Sequence, residues 1–215
     1  MREASSSSKN PHETWERLAQ KPPFPAYNRA MSVTLIPFEP EDAADREALV
    51  DFMTSNYFPF HVTAQPSAEL VNKRIAEGAY TDADHATYWL EEKWKGRLGL
   101  VIFEDLREDA PLFDLRLSEA VRGQGLGVEC LRAIADFAFG TMPNISRLEG
   151  QTREDNVPMR RVFESARWVQ EAYHRESWPV EGGEPVASVA YAILRRDWQH
   201  GTVTPIKWER AASTK

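Results

Sequence analysis

The stretch Val121-Arg122-Gly123-Gln124-Gly125-Leu126-Gly127 sits between an alternating strand-like run, Leu112 to Ser118, and an amphipathic helical run, Gly125 to Phe139. No other part of the chain restricts the fold as much. Three glycines at alternate positions leave the backbone free of Cβ atoms, so successive N–H groups can turn inward toward an anion. The following helix aims its unpaired first-turn donors and the positive end of its dipole at the same point. Arg122 is expected to add a permanent cation at the rim. Together these features read as a cradle for a pyrophosphate. The spacing argues against two common alternatives. The dinucleotide fingerprint needs G-x-G-x-x-G, whereas Gly123, Gly125 and Gly127 give G-x-G-x-G, and no Gly-Lys-Ser/Thr follows as in a P-loop.

The order Arg-x-x-Gly-x-Gly resembles the motif with which GNAT acetyltransferases seat the pyrophosphate of acetyl-coenzyme A. A second block strengthens the likeness: Arg147-Leu148-Glu149-Gly150-Gln151-Thr152, then Glu154 to Glu164 with Asn156 near its start, then Trp168. It looks like the strand, Asn-led helix and aromatic restart of the branch resembling ribosomal-protein N-terminal acetyltransferases. That resemblance covers roughly Ser32 to Trp198, with its strongest motifs from Phe113 to Trp168. It implies an α+β fold, a mixed and mostly antiparallel central sheet of about seven strands flanked by helices. It also implies that Asn156 contacts the pantetheine arm. The helix of that branch ends at a Gly, and Arg167 stands there instead, so a different turn is expected.

A chain of 215 residues with 42% apolar content has the size of one domain with a sizeable core. Cys130 is its only cysteine, so neither an intrachain disulfide nor a cysteine cage for a metal can form. Cys130 lies beside an apolar stripe and reads as a small core residue rather than a nucleophile. No His/Asp/Glu cluster has metal-ligand spacing, and none is assigned. Apolar runs such as Leu98 to Phe103 are too short to span a bilayer, and the N-terminus lacks an apolar signal core. A soluble, cytoplasmic protein without membrane partners is expected. A net charge of −7 argues against nucleic acid and suits a cationic acceptor, although solubility alone also explains it.

Residues 1–31, with Ser5 to Ser8 and Pro22-Pro23-Phe24-Pro25, read as a flexible extension. Its Trp15, Leu18, Phe24 and Tyr27 leave docking onto the domain, or onto a second subunit of a homodimer, open. The acetyltransferase domain is expected over 32–198 and a tail over 199–215. Strands are predicted over Ser32–Phe38, Ala86–Glu91, Arg97–Glu104, Leu112–Ser118, Ser146–Thr152, Trp168–Trp178 and Val186–Arg195. Helices are predicted over Glu41–Ser55, Ser67–Gly78, Gly125–Phe139 and Asn156–Ala166. Val128, Leu131, Ile134, Ala135 and Ala138 recur at helical spacing and mark the face that packs on the sheet. Trp89, Trp94, Trp168, Trp178 and Trp198 are expected in core and strand-edge packing.

Acetyl transfer to an amine needs a neutral nitrogen, a polarised carbonyl and a leaving thiolate. The resemblance places the carbonyl donor on the backbone between Leu115 and Leu117, where the neighbouring strand splays away, and pairs the same edge with the pantetheine amides. Coenzyme contacts are thus assigned to Leu115, Leu117, Arg122, Gly123, Gln124, Gly125, Leu126, Gly127 and Asn156. Arg161 is added as a partner for the adenosine 3′-phosphate, against its plainer role as a solvated helix charge. Alternation puts Asp114 and Arg116 together on one face, either lining the acceptor channel or forming an ion pair that only shapes it. Asp114, Glu149 and His174 are assigned to the chemistry, with Glu104 and His61 as further candidates for the base. The acid that protonates the thiolate is left open, because the usual Tyr is replaced around Val162 and Phe163; Tyr173 or a water could serve. The expected activity is N-acetylation of a primary amine, on a protein N-terminus or on a small amine such as a polyamine or aminoglycoside. A non-catalytic acyl-coenzyme A sensor is the rival reading.

Overall fold

Leu98 to Phe103 are buried without alternation, the mark of a strand covered on both faces, and they form the middle of β3 (Gly96–Glu104). The computed structural model describes residues 32–207; the extension assigned to 1–31 and the end of the tail, 208–215, lie outside it. Around β3 the chain runs β1 (Val33–Pro37), α1 (Ala43–Ser55), α2 (Ala68–Ala76), β2 (Ala86–Glu92), then β3 and β4 (Leu112–Leu117). A 3-10 turn (Glu119–Val121) leads to α3 (Leu126–Thr141), β5 (Arg147–Arg153), α4 (Val157–Ser165), β6 (Val169–Trp178), β7 (Val186–Leu194) and α5 (Arg195–His200). The strands form one seven-stranded sheet in the order β1-β2-β3-β4-β5-β7-β6. Every neighbouring pair is antiparallel except β4 with β5. This is the α+β architecture expected from the sequence.

Caps fix the helix starts. Asp42 accepts from the Ala44 N–H before α1, and Ser67 accepts from Leu70 before α2. Each face of the sheet carries its own apolar cluster. Phe38, Leu49, Phe52, Met53, Phe58 and Trp89 pack under α1 and α2. Leu131, Ile134, Ala138, Phe113, Phe163 and Trp168 pack under α3 and α4. The stripe predicted on α3 is the face that packs, and Cys130 lies fully buried within it. Burial pushes the Cys130 thiol up to about 12.

Element boundaries fall within about two residues of the sequence reading, and two arginines shape the chain at such ends. Arg167 adopts the left-handed conformation, φ 68°, so the expected change of turn does not occur; the chain keeps that conformation with a residue that tolerates it poorly. Its guanidinium donates to the Gly201 carbonyl. The last strand stops at Leu194 and a short helix begins, because Arg195 folds its guanidinium over the end of α3. There it donates to the carbonyls of Phe139 (2.8 Å), Ile145 (2.7 Å) and Met142. Among the described residues no helix is long and apolar enough to cross a membrane.

Candidate active site

β4 and β5 pair only at Leu112–Glu149 and Phe113–Gly150, then separate into a V. The closed end is set by packing. A Cβ on Gly150 would lie 2.8 Å from the rings of both Phe113 and Phe163, so only glycine lets these strands and α4 meet. Beyond it, the Glu149 N–H donates to the Pro111 carbonyl and the Ser118 N–H to the Leu98 carbonyl. Alternation therefore turns the peptide groups of odd-numbered β4 residues toward β5 and the even ones toward β3. The N–H groups of Leu115 and Leu117 face the opening, with no strand left to pair them.

The Gly-rich turn sits at the open end. Gly123 (φ 73°) and Gly125 (φ 81°) are left-handed, and an added Cβ at either would meet nothing within 4 Å, so backbone sign rather than space requires glycine there. Gly125 caps α3, whose first-turn donors lack intrahelical partners. Gly127 is inside the helix and admits the Val162 side chain, which would lie 3.0 Å from a Cβ. Leu126 is buried beneath the turn. Gln124 turns its side chain back to the Ala120 carbonyl and accepts from Lys95 Nζ at 2.9 Å.

Arg122 does not stand at the rim as the sequence suggested. Its Nε donates to the Leu117 carbonyl at 2.9 Å and its Nη1 to the Tyr57 carbonyl at 2.6 Å, with the guanidinium 5.2 Å from the Phe58 ring centre. It ties the end of β4 to the segment after α1. The cation beside the turn is instead Lys95, on the β2–β3 hairpin. Next to it Trp94 is 82% exposed at a hairpin tip rather than packed in the core or along a strand edge as expected, and Lys93 lies over its ring.

The segment Tyr57–His61 spans the V. Arg122 holds it from the β4 side, and Arg153 Nη1 donates to the Pro59 carbonyl (3.2 Å) from the β5 side. This placement brings His61 Nε2 to 2.9 Å from Asp114 Oδ1. Arg116 takes the other oxygen, with Nε at 3.0 Å and Nη2 at 2.9 Å from Oδ2. Burial would raise the Asp114 carboxyl, but Arg116 and then His61 outweigh it and hold the group well below the usual carboxylate range. Asp114 and Arg116 thus form an ion pair, and it carries a histidine. Glu104, at the end of β3, is pushed the other way by burial and by Asp114.

The remaining candidates lie apart from this cluster. Glu149 is bound by Arg147 (2.8 Å), which also holds Glu171. His174 is exposed on the edge strand β6, two strands away from β5, and makes no side-chain bond to Asp114 or Glu149. Tyr173 donates to the Glu154 carboxylate. Asn156 caps α4 by accepting from the Met159 N–H (3.3 Å) and donates to Thr152 Oγ1 (2.8 Å). Arg161 is exposed on α4. The His61–Asp114 contact joins residues 53 apart in sequence, and only the aromatic setting of Phe58-Pro59-Phe60-His61 hinted at it. A cavity of about 540 Å³ lies elsewhere, lined by β1, α3 and α5 residues. Its carboxylates are already engaged, Glu129 by Ser32, Asp136 by Trp198 and Asp197 by Thr202, and it lies away from the open end of the V, touching only Trp168 behind the closed end.

Solved structures of the same fold include the spermidine N-acetyltransferase of Vibrio cholerae in complex with CoA and spermine. It is 16% identical with a TM-score of 0.64, covering 79% of this chain and 99% of that one. A chimera of that enzyme superposes at a TM-score of 0.66 with 15% identity, covering 78% and 98%. A GNAT-family acetyltransferase from Bacillus anthracis does so at 0.62 with 17% identity, covering 78% and 98%. At these identities the likeness is one of fold. No curated protein matches the chain. Residues 32–169 match the acetyltransferase (GNAT) domain family, and the V, the left-handed turn and the helix start lie within that span, so the chain belongs to the GNAT acetyltransferases.

Proposed function

We propose that this chain transfers an acetyl group from acetyl-coenzyme A to a primary amine of a small cationic acceptor of the polyamine class, by direct attack of nitrogen on the thioester. The observation that carries the reading is the V itself, in which unpaired Leu115 and Leu117 N–H groups run toward a turn of free backbone donors. A pantetheine arm fits that edge as a substitute strand, and a pyrophosphate fits the turn, whose two left-handed glycines leave open space. Acetyl-coenzyme A, when bound, supplies the acetyl group as an activated thioester. The Leu115 or Leu117 N–H polarises the acyl oxygen, a contribution independent of side-chain identity. Gly123, Gln124, Gly125, Leu126 and Gly127 seat the phosphates, Asn156 lies beside the arm, and Arg161 is available to the 3′-phosphate.

Acidic groups favour a cationic acceptor. Glu104 and Asp114 share the face that Tyr57–His61 covers, Glu149 lies on the same side of the sheet, and the whole chain carries −7. The Vibrio cholerae relative crystallised with spermine is consistent with that class. A protein N-terminus, suggested by the likeness to the ribosomal-protein branch, is the second acceptor to test. A single cysteine and an acetyl-coenzyme A substrate suit the cytoplasm.

Thermal unfolding with acetyl-coenzyme A and free coenzyme A should raise Tm. Thiol release should then appear with spermidine or spermine and be weaker with peptide N-termini. No Tm shift would end the coenzyme reading. A shift without thiol release across polyamines, aminoglycosides and peptides would make the protein a binding module.

A further inference from the structure

We infer that His61 is the general base of this site, taking the proton from the acceptor ammonium, and that Asp114 and Arg116 are its positioning residues; the inference rests on the acetyl-transfer reading above. Asp114 lies one residue past the last β4–β5 pair, where the V begins to open. His61 reaches it from a segment anchored on both rims, so the ring is fixed across the opening rather than carried on a loose loop. The Phe58 ring meets the imidazole edge-on at 5.6 Å, and the Tyr57 N–H donates to the Glu119 carboxylate.

The hydrogen-bond pattern assigns the tautomer. An ionised carboxylate can only accept, so Nε2 carries the hydrogen toward Asp114 Oδ1 and the lone pair resides on Nδ1. Nδ1 is screened from solvent and meets no donor among the described residues. A buried acceptor without a donor is uncommon in folded proteins, and because the His61 side chain as a whole stays 23% exposed, a small shift of the ring lets an incoming ammonium N–H reach Nδ1 and satisfy it. Asp114 is a poor base by comparison, since Arg116 and His61 already occupy both its oxygens.

The step balances as follows. The acceptor ammonium gives one proton to Nδ1, forming an imidazolium that Asp114 stabilises. The freed nitrogen lone pair makes the new C–N bond to the acyl carbon, the C–S bond breaks, and sulfur keeps that electron pair. The remaining surplus proton on nitrogen passes through solvent to the thiolate, and His61 returns its proton to solvent. Ammonium and thioester thus become amide, thiol and one released proton.

The charged and titratable groups around the ring are Asp114 and Arg116 on β4, Glu104 on β3, Arg153 on β5, Arg122 and Glu119 at the turn, and Tyr80 beside Arg116. The test is the pH profile of kcat for the full chain with acetyl-coenzyme A and spermine. His61→Gln should lower kcat by roughly 10²–10³-fold, keep the KM for acetyl-coenzyme A within about twofold, and abolish the ascending limb. Asp114→Asn should lower kcat less and move that limb to lower pH, because the imidazolium loses its counter-charge. A His61→Gln enzyme within about threefold of the parent, or a limb that vanishes in Glu104→Gln instead, would overturn the assignment. Nitrogen NMR of labelled His61 gives a readout without turnover. The Nε2–H form is expected, with Nδ1 perturbed by spermine when coenzyme A is bound. An Nδ1–H form overturns the role even if turnover is never found. Absence of thiol release in the parent protein overturns the reaction itself, and the role with it.

Discussion

The closed and open ends of the V are made of different material. At the closed end Phe113, Phe163, Trp168 and Tyr191 interlock, with Phe163 stacked on Tyr191 at 4.6 Å and Trp168 5.4 Å from both Phe113 and Phe163. Beyond it the working groups are peptide N–H donors, two left-handed glycines and a hydrogen-bonded chain from Arg116 through Asp114 to His61. Packing thus fixes where the strands part, and polar groups furnish the space this creates. Damage to one end should register as lost stability, and damage to the other as lost binding or altered pH response.

The sharpest way to break that contrast is Phe163→Ala, which empties the closed end. It should cost about 4 kcal/mol in urea unfolding, and a cost below about 1 kcal/mol would show that packing does not set the parting point. Gly125→Ala should cost less in stability, about 1–2 kcal/mol from forcing a Cβ into the left-handed region. Its affinity for acetyl-coenzyme A by calorimetry should nevertheless fall at least about tenfold, a loss of about 1.4 kcal/mol; unchanged affinity would separate the turn from binding. Asp114 sharpens the comparison through pH. Its folded-state value lies below the unfolded one, so its pairing stabilises the protein above about pH 4 and that contribution is lost as pH falls through the folded value. Acid unfolding of Asp114→Asn should therefore have a flatter dependence in that range, and an unchanged slope would contradict the ion-paired state. The smallest effect has the opposite sign. Arg167→Gly relieves a left-handed non-glycine and should stabilise by up to about 1 kcal/mol, readable as a small rise in Tm; a fall would mean that the bond to Gly201 outweighs the strain.

Legibility followed the same division. The α3 stripe, the Ser67 cap and the strand pattern rest on local periodicity, which survives in one dimension, and the elements appear within a few residues of where the pattern places them. The Gly-rich turn was readable because φ > 0 leaves a signature of residue type. Arg122 was misplaced because a permanent cation beside an anion cradle suggests a phosphate contact, whereas two nearby backbone carbonyls, those of Leu117 and Tyr57, compete for its donors. The His61–Asp114 pair was unreadable as a pair, since its members are joined by tertiary closure and neither carries a local pattern. His174 was chosen for lying on a strand expected to reach the cleft mouth, and strand order in the sheet, which sets that strand two positions from β5, has no local signature in the sequence.

The unpaired peptide edge at Leu115 and Leu117 bears on how such a protein can diverge. Donors that belong to the main chain are present whatever side chain stands there, so mutation can rewrite those positions without deleting a functional group. What must persist is the angle at which two strands part and the handedness of one turn. Structures 15–17% identical to this chain can therefore superpose over most of their length. In such a lineage, shape is inherited more faithfully than spelling.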